Sequence, residues 1–178
     1  MASDALTGTD GTPTFDAPVL LTEAHDASSF DSGEPVLDDW LRQRAWHNLQ
    51  VAASRTYVVC PADSNRIVGY FALSMGHILA HEATGAMRRN MPSQIPSVTL
   101  GRLAIDRTSQ GKGLGRALLA EVVRRAMIAS NEVSARLIVV HAISPEAEAF
   151  YLHHGFTRLP VETPTLALDL VKLRKLGK

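Results

Sequence analysis

Apolar positions along this chain fall into blocks. Their spacing switches between the alternation of strands and the three-to-four residue step of helices. Pro18–Thr22 reads as a short first strand, and Glu23–Ser29 as one or two helical turns. Leu37, Trp40, Leu41 and Ala45 recur at helical spacing, with Pro35 suited to the first turn and Ser32 or Gly33 near the cap. That helix is predicted to run to Ser54. Thr56–Ala62 and Ile67–Met75 are strands joined by the turn residues Asp63-Ser64-Asn65-Arg66. Gly76–Pro96 has no clear period and holds Arg88, Arg89, Pro92 and Pro96. A long irregular segment in a compact domain is usually functional or disordered, so a substrate-side loop is expected there.

Val98–Ile105 follows as a strand. Leu114–Ser130 is an amphipathic helix with Leu114, Leu118 and Val122 on its apolar face and Glu121, Arg124 and Arg125 on a solvated one. Arg136–Ala142 is a continuous apolar run, the mark of a buried strand. Ser144-Pro145-Glu146 is a well-formed helix start: Ser caps, Pro fits the first position and Glu suits the dipole. The helix carries Ala147, Phe150 and Tyr151, with Phe150 expected in the core, and stops at Gly155. Phe156–Leu159 and Leu166–Leu173 complete the strands. The basic residues Lys172, Arg174, Lys175 and Lys178 form a frayed tail. The order predicts an α/β domain, a mixed sheet with helices on both faces. Residues 1–16, rich in Gly, Thr, Asp and Ala, read as a mobile leader, leaving 17–178 as one domain.

Composition narrows the class. The 18 basic and 18 acidic residues cancel, so the chain as a whole does not attract nucleic acid. Arg42, Arg44, Arg55, Arg88, Arg89 and Arg102 can still converge in the fold. Cys60 is the single cysteine, which excludes an internal disulfide and fits a reducing compartment. No apolar run approaches the roughly 18 residues of a membrane span, and the first residues lack the basic-then-apolar order of a secretory signal. A cytoplasmic protein without a membrane segment is expected.

The chemistry gathers after the Val98–Ile105 strand, in Gln110-Gly111-Lys112-Gly113-Leu114-Gly115-Arg116. A glycine loop at a helix start turns several backbone N–H groups toward one point, which suits a phosphate or pyrophosphate. It is not a P-loop, because Gly113 rather than Ser or Thr follows Lys112. It is not a dinucleotide fingerprint either, because Gly111, Gly113 and Gly115 are one residue short of that spacing. What remains is Gln110-x-x-Gly113-x-Gly115 directly after a strand. That pattern resembles the acyl-CoA-binding motif of the GNAT N-acetyltransferases. A second signature of that family is matched by Phe150-Tyr151-Leu152-His153-His154-Gly155-Phe156.

A narrower resemblance lies in Phe30–Leu41, Arg55–Val58 and Leu100–Ile105, which are similar to the acetyltransferase toxins of bacterial toxin–antitoxin pairs. Ser32 stands where Cys is more usual, which is a departure from that pattern.

The resemblance implies the GNAT acyl-CoA N-acyltransferase fold, with a central, mixed, mostly antiparallel sheet flanked by helices. It implies acetyl-CoA as cofactor. The pyrophosphate would sit on the N–H groups of Gly111–Gly115, with Gln110 in the motif and Lys112 and Arg116 adding charge. The pantetheine arm would pair with the Leu103 and Ile105 backbone, as an added strand does. An N–H near Leu103, Ala104 or Ile105 would face the thioester carbonyl. Leu114 and Ser144 complete the expected cofactor set. Tyr151, protonated at neutral pH, would supply the proton to the departing sulfur.

The toxin resemblance further implies transfer to the α-amine of aminoacyl-tRNA, a block on translation, a ribbon-helix-helix antitoxin and a homodimer. Arg42, Arg55, Arg88 and Arg89 would contact the RNA. Arg102 would contact an RNA phosphate or pair with a carboxylate. No Glu or His stands out as a base: His77, His81, His141, His153 and His154 are candidates without support, and no pair has metal-ligand context, so no metal is expected. The missing base favours an α-amine, since lysine costs about 3 kcal/mol more to deprotonate. Two alternatives stand beside the toxin: an acetyltransferase of a small amine or a protein N-terminus, and a non-catalytic acyl-CoA-binding module.

Overall fold

The computed structural model describes residues 15–176, so most of the expected leader, and Lys178, lie outside the described residues. The chain forms two compact units. One comprises the described part of Met1–Leu73 with Arg102–Val122, and the other Ser74–Gly101 with the described part of Val123–Lys178.

The first unit opens with β1 (Val19–Leu20), followed by α1 (Pro35–Gln43) and α2 (Ala45–Gln50). Then come β2 (Arg55–Val59) and the start of β3 (Gly69–Leu79). β1 pairs antiparallel with β2, and β2 antiparallel with β3. Its core joins Leu21, Phe30, Leu37, Leu41, Ala45, Val58, Ile67, Tyr70 and Ala104. Each fully buried large aliphatic side chain contributes about 1.5–3 kcal/mol. Cys60 is part of this core, and burial pushes its thiol up to about 11. The helix over Leu37–Ala45 is present with its apolar face buried, and it breaks in two where Arg44 leaves helical geometry (φ −121°). Glu23–Ser29 is not helical. There Asp26 accepts the Ser28 N–H at 2.8 Å, His25 Nδ1 lies 3.0 Å from the Thr22 nitrogen, and Asp26 bridges Arg66 in strand fashion. Short polar side chains have taken the local backbone bonds that a helix needs.

The second unit holds the end of β3, a 3-10 turn at Ala80–Glu82, α3 (Gly85–Arg88) and most of β4 (Gln94–Ile105). The expected irregular stretch is therefore only residues 80–93 long, with strand on both sides. Its strand period was masked because the outward positions are themselves apolar: Met75 and Leu79 are exposed while Ile78 is buried. Pro96, expected in the irregular stretch, sits within β4, where its carbonyl accepts the Arg136 N–H at 2.8 Å.

Beyond α4 (Leu114–Glu132) come β5 (Leu137–His141), α5 (Pro145–His153), β6 (Thr157–Arg158), β7 (Thr165–Asp169) and α6 (Leu170–Leu176). β4 runs parallel to β5, while β5–β7 and β6–β7 are antiparallel. Ile78, Ala83, Met87, Ile95, Leu137, Val139, Leu159 and Ala167 form this unit's core. The last strand is shorter than expected because Asp169 turns it into a helix. Its Oδ1 accepts the Val171 and Lys172 N–H groups, and its carboxylate takes a bidentate contact from Arg136 at 3.0 and 2.7 Å. The basic residues 172–175 are thus helical rather than frayed, and Arg174 donates to Ser130 and Asn131.

The strand order is β1-β2-β3-β4-β5-β7-β6, a mixed and mostly antiparallel sheet as anticipated. On α4, Leu114, Leu118 and Val122 are buried as expected. Arg124 is exposed, but Glu121 and Arg125 are half-buried rather than solvated.

Candidate active site

In the first unit, β4 ends at Ile105, and Asp106 opens a 3-10 turn over Arg107–Ser109. Asp106 is 2% exposed. Its Oδ1 accepts the Thr108 N–H at 3.0 Å and the Thr108 hydroxyl, its Oδ2 accepts the Asp31 N–H at 3.0 Å, and its own N–H donates to Val68. Burial alone would raise its pKa. The hydrogen bonds from Thr108 and Asp31, with the Arg66 charge 4.0 Å away, outweigh that and hold the carboxyl below its ordinary range.

Gln110 follows. Its amide nitrogen donates to the Ile105 carbonyl and the Ser32 carbonyl, both at 2.9 Å. Gly111 and Gly113 adopt φ +73° and +79°, and a Cβ built on either would meet nothing within 4 Å. A side chain there would project into open space in front of the α4 N-terminus, in a backbone conformation it disfavours. Lys112 Nζ folds back to the Thr108 carbonyl at 2.7 Å, and Arg116 is exposed. The first bond of α4 runs from Ala117 N–H to the Gly113 carbonyl at 3.1 Å. The N–H groups of Leu114, Gly115 and Arg116 therefore have no acceptor within the helix, and the helix dipole adds partial positive charge there. Just upstream, Ala104 is buried, and Leu103 and Ile105 are half-buried.

In the second unit, α5 begins as the sequence predicts. Ser144 Oγ accepts the Ala147 N–H at 3.1 Å, Pro145 takes the first position, and Gly155 follows the helix with φ +89°. The burial of its two aromatics differs from the expectation. Phe150 is half-buried, and Tyr151 is the buried one at 6% exposure, because its ring packs edge-on to Phe150 at 5.3 Å and tilted against Phe156 at 5.4 Å. Burial raises the Tyr151 phenol above its ordinary pKa. None of the hydrogen bonds found among the described residues engages its hydroxyl.

The arginines fall on different elements. Arg42 donates to the Phe30 carbonyl at 2.7 Å and pairs with Asp39 at 3.0 Å. Arg102 is half-buried with its guanidinium 5.3 Å from the Trp40 ring centroid, a contact that neither reading of this residue foresaw. Arg102 thus meets Trp40 of α1, while Arg42 of the same helix turns to Phe30 and Asp39. Arg55 is exposed on β2, and Arg88 and Arg89 are exposed around the end of α3 in the other unit. His77, His81, His141 and His153 are exposed, and His154 Nδ1 lies 2.7 Å from the Phe150 carbonyl. Among the described residues no group of three or more His, Cys, Asp or Glu could hold a metal ion.

Sequence reasoning passed over Asp31, Asp38 and Asp106. A signal for Asp106 existed: Asp-x-Thr directly after an apolar strand is the pattern of an Asx turn.

The model of the GNAT acetyltransferase domain matches residues 53–158. A tRNA-acetylating toxin of Mycobacterium tuberculosis is 42% identical over 162 residues, covering 91% of this chain and 96% of that protein. The structure of AtaT complexed with acetyl-methionyl-tRNAfMet superposes with a TM-score of 0.85 at 28% identity, over 91% of this chain and 99% of that one. A Tyr-to-Phe mutant of AtaT, bound to the C-terminus of the antitoxin AtaR and acetyl-CoA, superposes with a TM-score of 0.76 at 29% identity, over 90% and 96%. The chain belongs to the GNAT family and has its fold. It is an N-acetyltransferase.

Proposed function

We propose that this protein is a toxin that transfers the acetyl group of acetyl-CoA to the α-amine of an aminoacyl-tRNA and so blocks translation. The single observation that carries the substrate is the 42% identity to a tRNA-acetylating toxin, which extends over 91% of the chain. The cofactor is supported by the glycine loop. Gly111 and Gly113 leave open space where side chains would stand, and backbone N–H groups at the start of α4 lack intrahelical acceptors. Those features fit a pyrophosphate.

Bound acetyl-CoA supplies an acetyl group activated as a thioester. The N–H groups of Gly111–Gly115 would hold its pyrophosphate, with Lys112 and Arg116 adding positive charge. The backbone of Leu103–Ile105 orients the arm, and an N–H there polarises the carbonyl. Tyr151 Oη holds the proton for the sulfur. Its burial keeps the phenol protonated across the physiological range, and its hydroxyl is not committed to a hydrogen bond among the described residues. Arg102, held against Trp40 of α1, is the strongest of the candidate RNA contacts, with Arg42, Arg55, Arg88 and Arg89 behind it.

A homodimer, a ribbon-helix-helix antitoxin and a cytoplasmic site of action complete the reading. An antitoxin is supported by the AtaT–AtaR complex. Among the described residues no helix is long and apolar enough to cross a membrane.

The test is to incubate the protein with acetyl-CoA and charged tRNA, digest the RNA, and weigh the aminoacyl nucleosides by mass spectrometry. Acetylated aminoacyl-adenosine is expected, together with growth arrest on expression that Tyr151→Phe relieves. Free amines or protein N-termini acetylated while charged tRNA stays unmodified would overturn the substrate. No thiol release with any amine would overturn the enzyme.

A further inference from the structure

The glycine loop makes little packing of its own. Gly111 and Gly113 have no neighbour within 4 Å of a built Cβ, and the residues from Gln110 to Gly113 are exposed. A loop so placed takes its geometry from whatever anchors its flanks. The anchors converge on one distant turn, Asp31-Ser32-Gly33. Asp31 donates its N–H to Asp106, accepts the Arg107 N–H at 2.8 Å and pairs with the Arg107 guanidinium at 3.5 Å. Ser32 accepts the Gln110 amide at its carbonyl. Gly33 packs so closely on Arg107 that a Cβ would come within 3.1 Å of its Nε, at a φ of +91°.

The far side of the turn is tied to α1. The Ser32 N–H and hydroxyl both donate to Asp38 Oδ1, at 3.0 and 2.5 Å. Asp38 is 5% exposed on a helix whose neighbours Leu37 and Leu41 are core residues. Ser32 Oγ in turn accepts the Glu34 N–H at 3.2 Å, fixing the entry to the helix.

We propose that the Asp31–Gly33 turn is a positioning clamp for the coenzyme loop. Through it the buried carboxylates Asp38 and Asp106, with the Gln110 amide, hold the loop in its binding geometry before the coenzyme arrives. This rests on the acetyl-CoA reading of the loop given above. Asp38 is the informative member, because it touches Ser32 rather than the loop, so its influence has to pass through the turn. Preorganisation of this kind sets affinity, since an unanchored loop must be ordered on binding.

The test measures acetyl-CoA binding by calorimetry and hydrogen exchange of the amides from Thr108 to Gly113 in the free protein. Asp38→Ala is expected to weaken binding roughly tenfold or more, the scale on which small misplacements act, and to speed exchange in that segment. Asp38→Asn, whose amide oxygen accepts the same two bonds, restores both. In a Gln110→Met background, which removes one of the turn's links to the loop, Asp38→Ala costs less than it does alone, because the two changes share that path. If Asp38→Ala does not fold, Ser32→Ala removes the hydroxyl bond to Asp38 and keeps the N–H bond, so the same two changes are expected at smaller size. Wild-type binding with unchanged affinity and exchange in these variants overturns the clamp alone, as does an Asp38→Ala effect that adds in full to that of Gln110→Met. A wild-type protein that does not bind acetyl-CoA overturns the reading of the loop as well.

Discussion

The loop from Asp106 to Arg116 and the segment from Ser144 to Phe156 both announce themselves in the sequence, but different physics holds them. The loop is a backbone device. Its working parts are N–H groups and two positive-φ glycines, and side chains enter only as anchors, Asp106 and Gln110. The Ser144–Phe156 segment is a side-chain device. Ser144 caps the helix, and Phe150 and Phe156 wedge Tyr151 into place. The difference sets what a mutation should do. Damage to the loop should appear as lost affinity, and damage around Tyr151 as lost turnover or lost stability.

The largest effect belongs to the phenol. Tyr151→Phe keeps the ring that packs on Phe150 and Phe156 and removes only the hydroxyl. It should lower kcat by about 10²–10⁴, the range of a general acid, while the acetyl-CoA Kd and the melting temperature stay close to wild type. Stopped-flow thiol release with parallel calorimetry separates the two. A raised acetyl-CoA Kd with unchanged kcat would place Tyr151 with the binding elements and erase the contrast.

The pH profile comes next. Because burial raises the Tyr151 pKa, the phenol stays protonated beyond its ordinary value of about 10. The rate should then climb with pH as the attacking α-amine becomes neutral, roughly ten- to fifty-fold between pH 6 and 8 for an amine titrating at or below about 8. No falling limb should follow before pH 10. A bell with a descending limb between pH 8 and 9 would mean that the acid is some other group.

How far the chain explained itself follows the same division. Features written in neighbouring residues were readable: the Ser144-Pro145 helix start, the Leu114–Val122 face and the strand feeding the glycine loop all stand where periodicity puts them. Features made by residues far apart were not. Nothing local in Asp31 or Asp38 says that they brace a loop some seventy residues on; that needs the hydrogen bond from Asp31 to Asp106, at a separation of 75 residues. The end of β7 misled because Leu170 and Val171 continue an apolar run, while the helix start there is set by Asp169. The order of burial in Phe150-Tyr151 was likewise beyond a local rule, since both are apolar enough for a core and packing against Phe156 decides.

Smaller effects sharpen the comparison. Gly113→Ala forces a Cβ into left-handed geometry at a cost of about 1–2 kcal/mol and places a methyl in the open space before α4 that is proposed to receive the coenzyme. Acetyl-CoA affinity should fall roughly tenfold or more, which is 1.4 kcal/mol or above, with kcat at saturation little changed. Ser144→Ala should do the reverse. Losing a helix cap costs about 1 kcal/mol, a fall of roughly 2–4 °C in melting temperature for a domain of this size. Because the Ser144 hydroxyl is already engaged by the Ala147 N–H, acetyl-CoA affinity should be preserved, against the coenzyme contact the resemblance implies. Thermal melts and calorimetry on both variants decide. Should Ser144→Ala weaken acetyl-CoA binding as much as Gly113→Ala does, Ser144 contacts the coenzyme and the two regions are not separable by affinity.

The smallest effect is acid loosening of the loop. Asp106 has a folded pKa below its unfolded value of about 3.9. Its contribution to stability is therefore complete above the unfolded value and disappears as pH falls through the lowered folded one. The cap of α5 is a serine hydroxyl and does not titrate. Asp169 is also held low: burial raises it, and the bonds from Arg136 and from the Lys172 and Val171 N–H groups more than reverse that, so α6 should weaken in the same acid window. Brief pepsin digestion on descending from pH 5 to pH 2.5 should accordingly cut within residues 105–116 and 169–176 before it cuts α5. Asp106→Asn removes the buried carboxylate anchor of the loop, so the pH dependence of cleavage there should diminish while that of the α6 cuts stays. If α5 opened first, or if the loop's acid sensitivity were undiminished in Asp106→Asn, the buried Asp106 carboxylate would not be what fastens the loop.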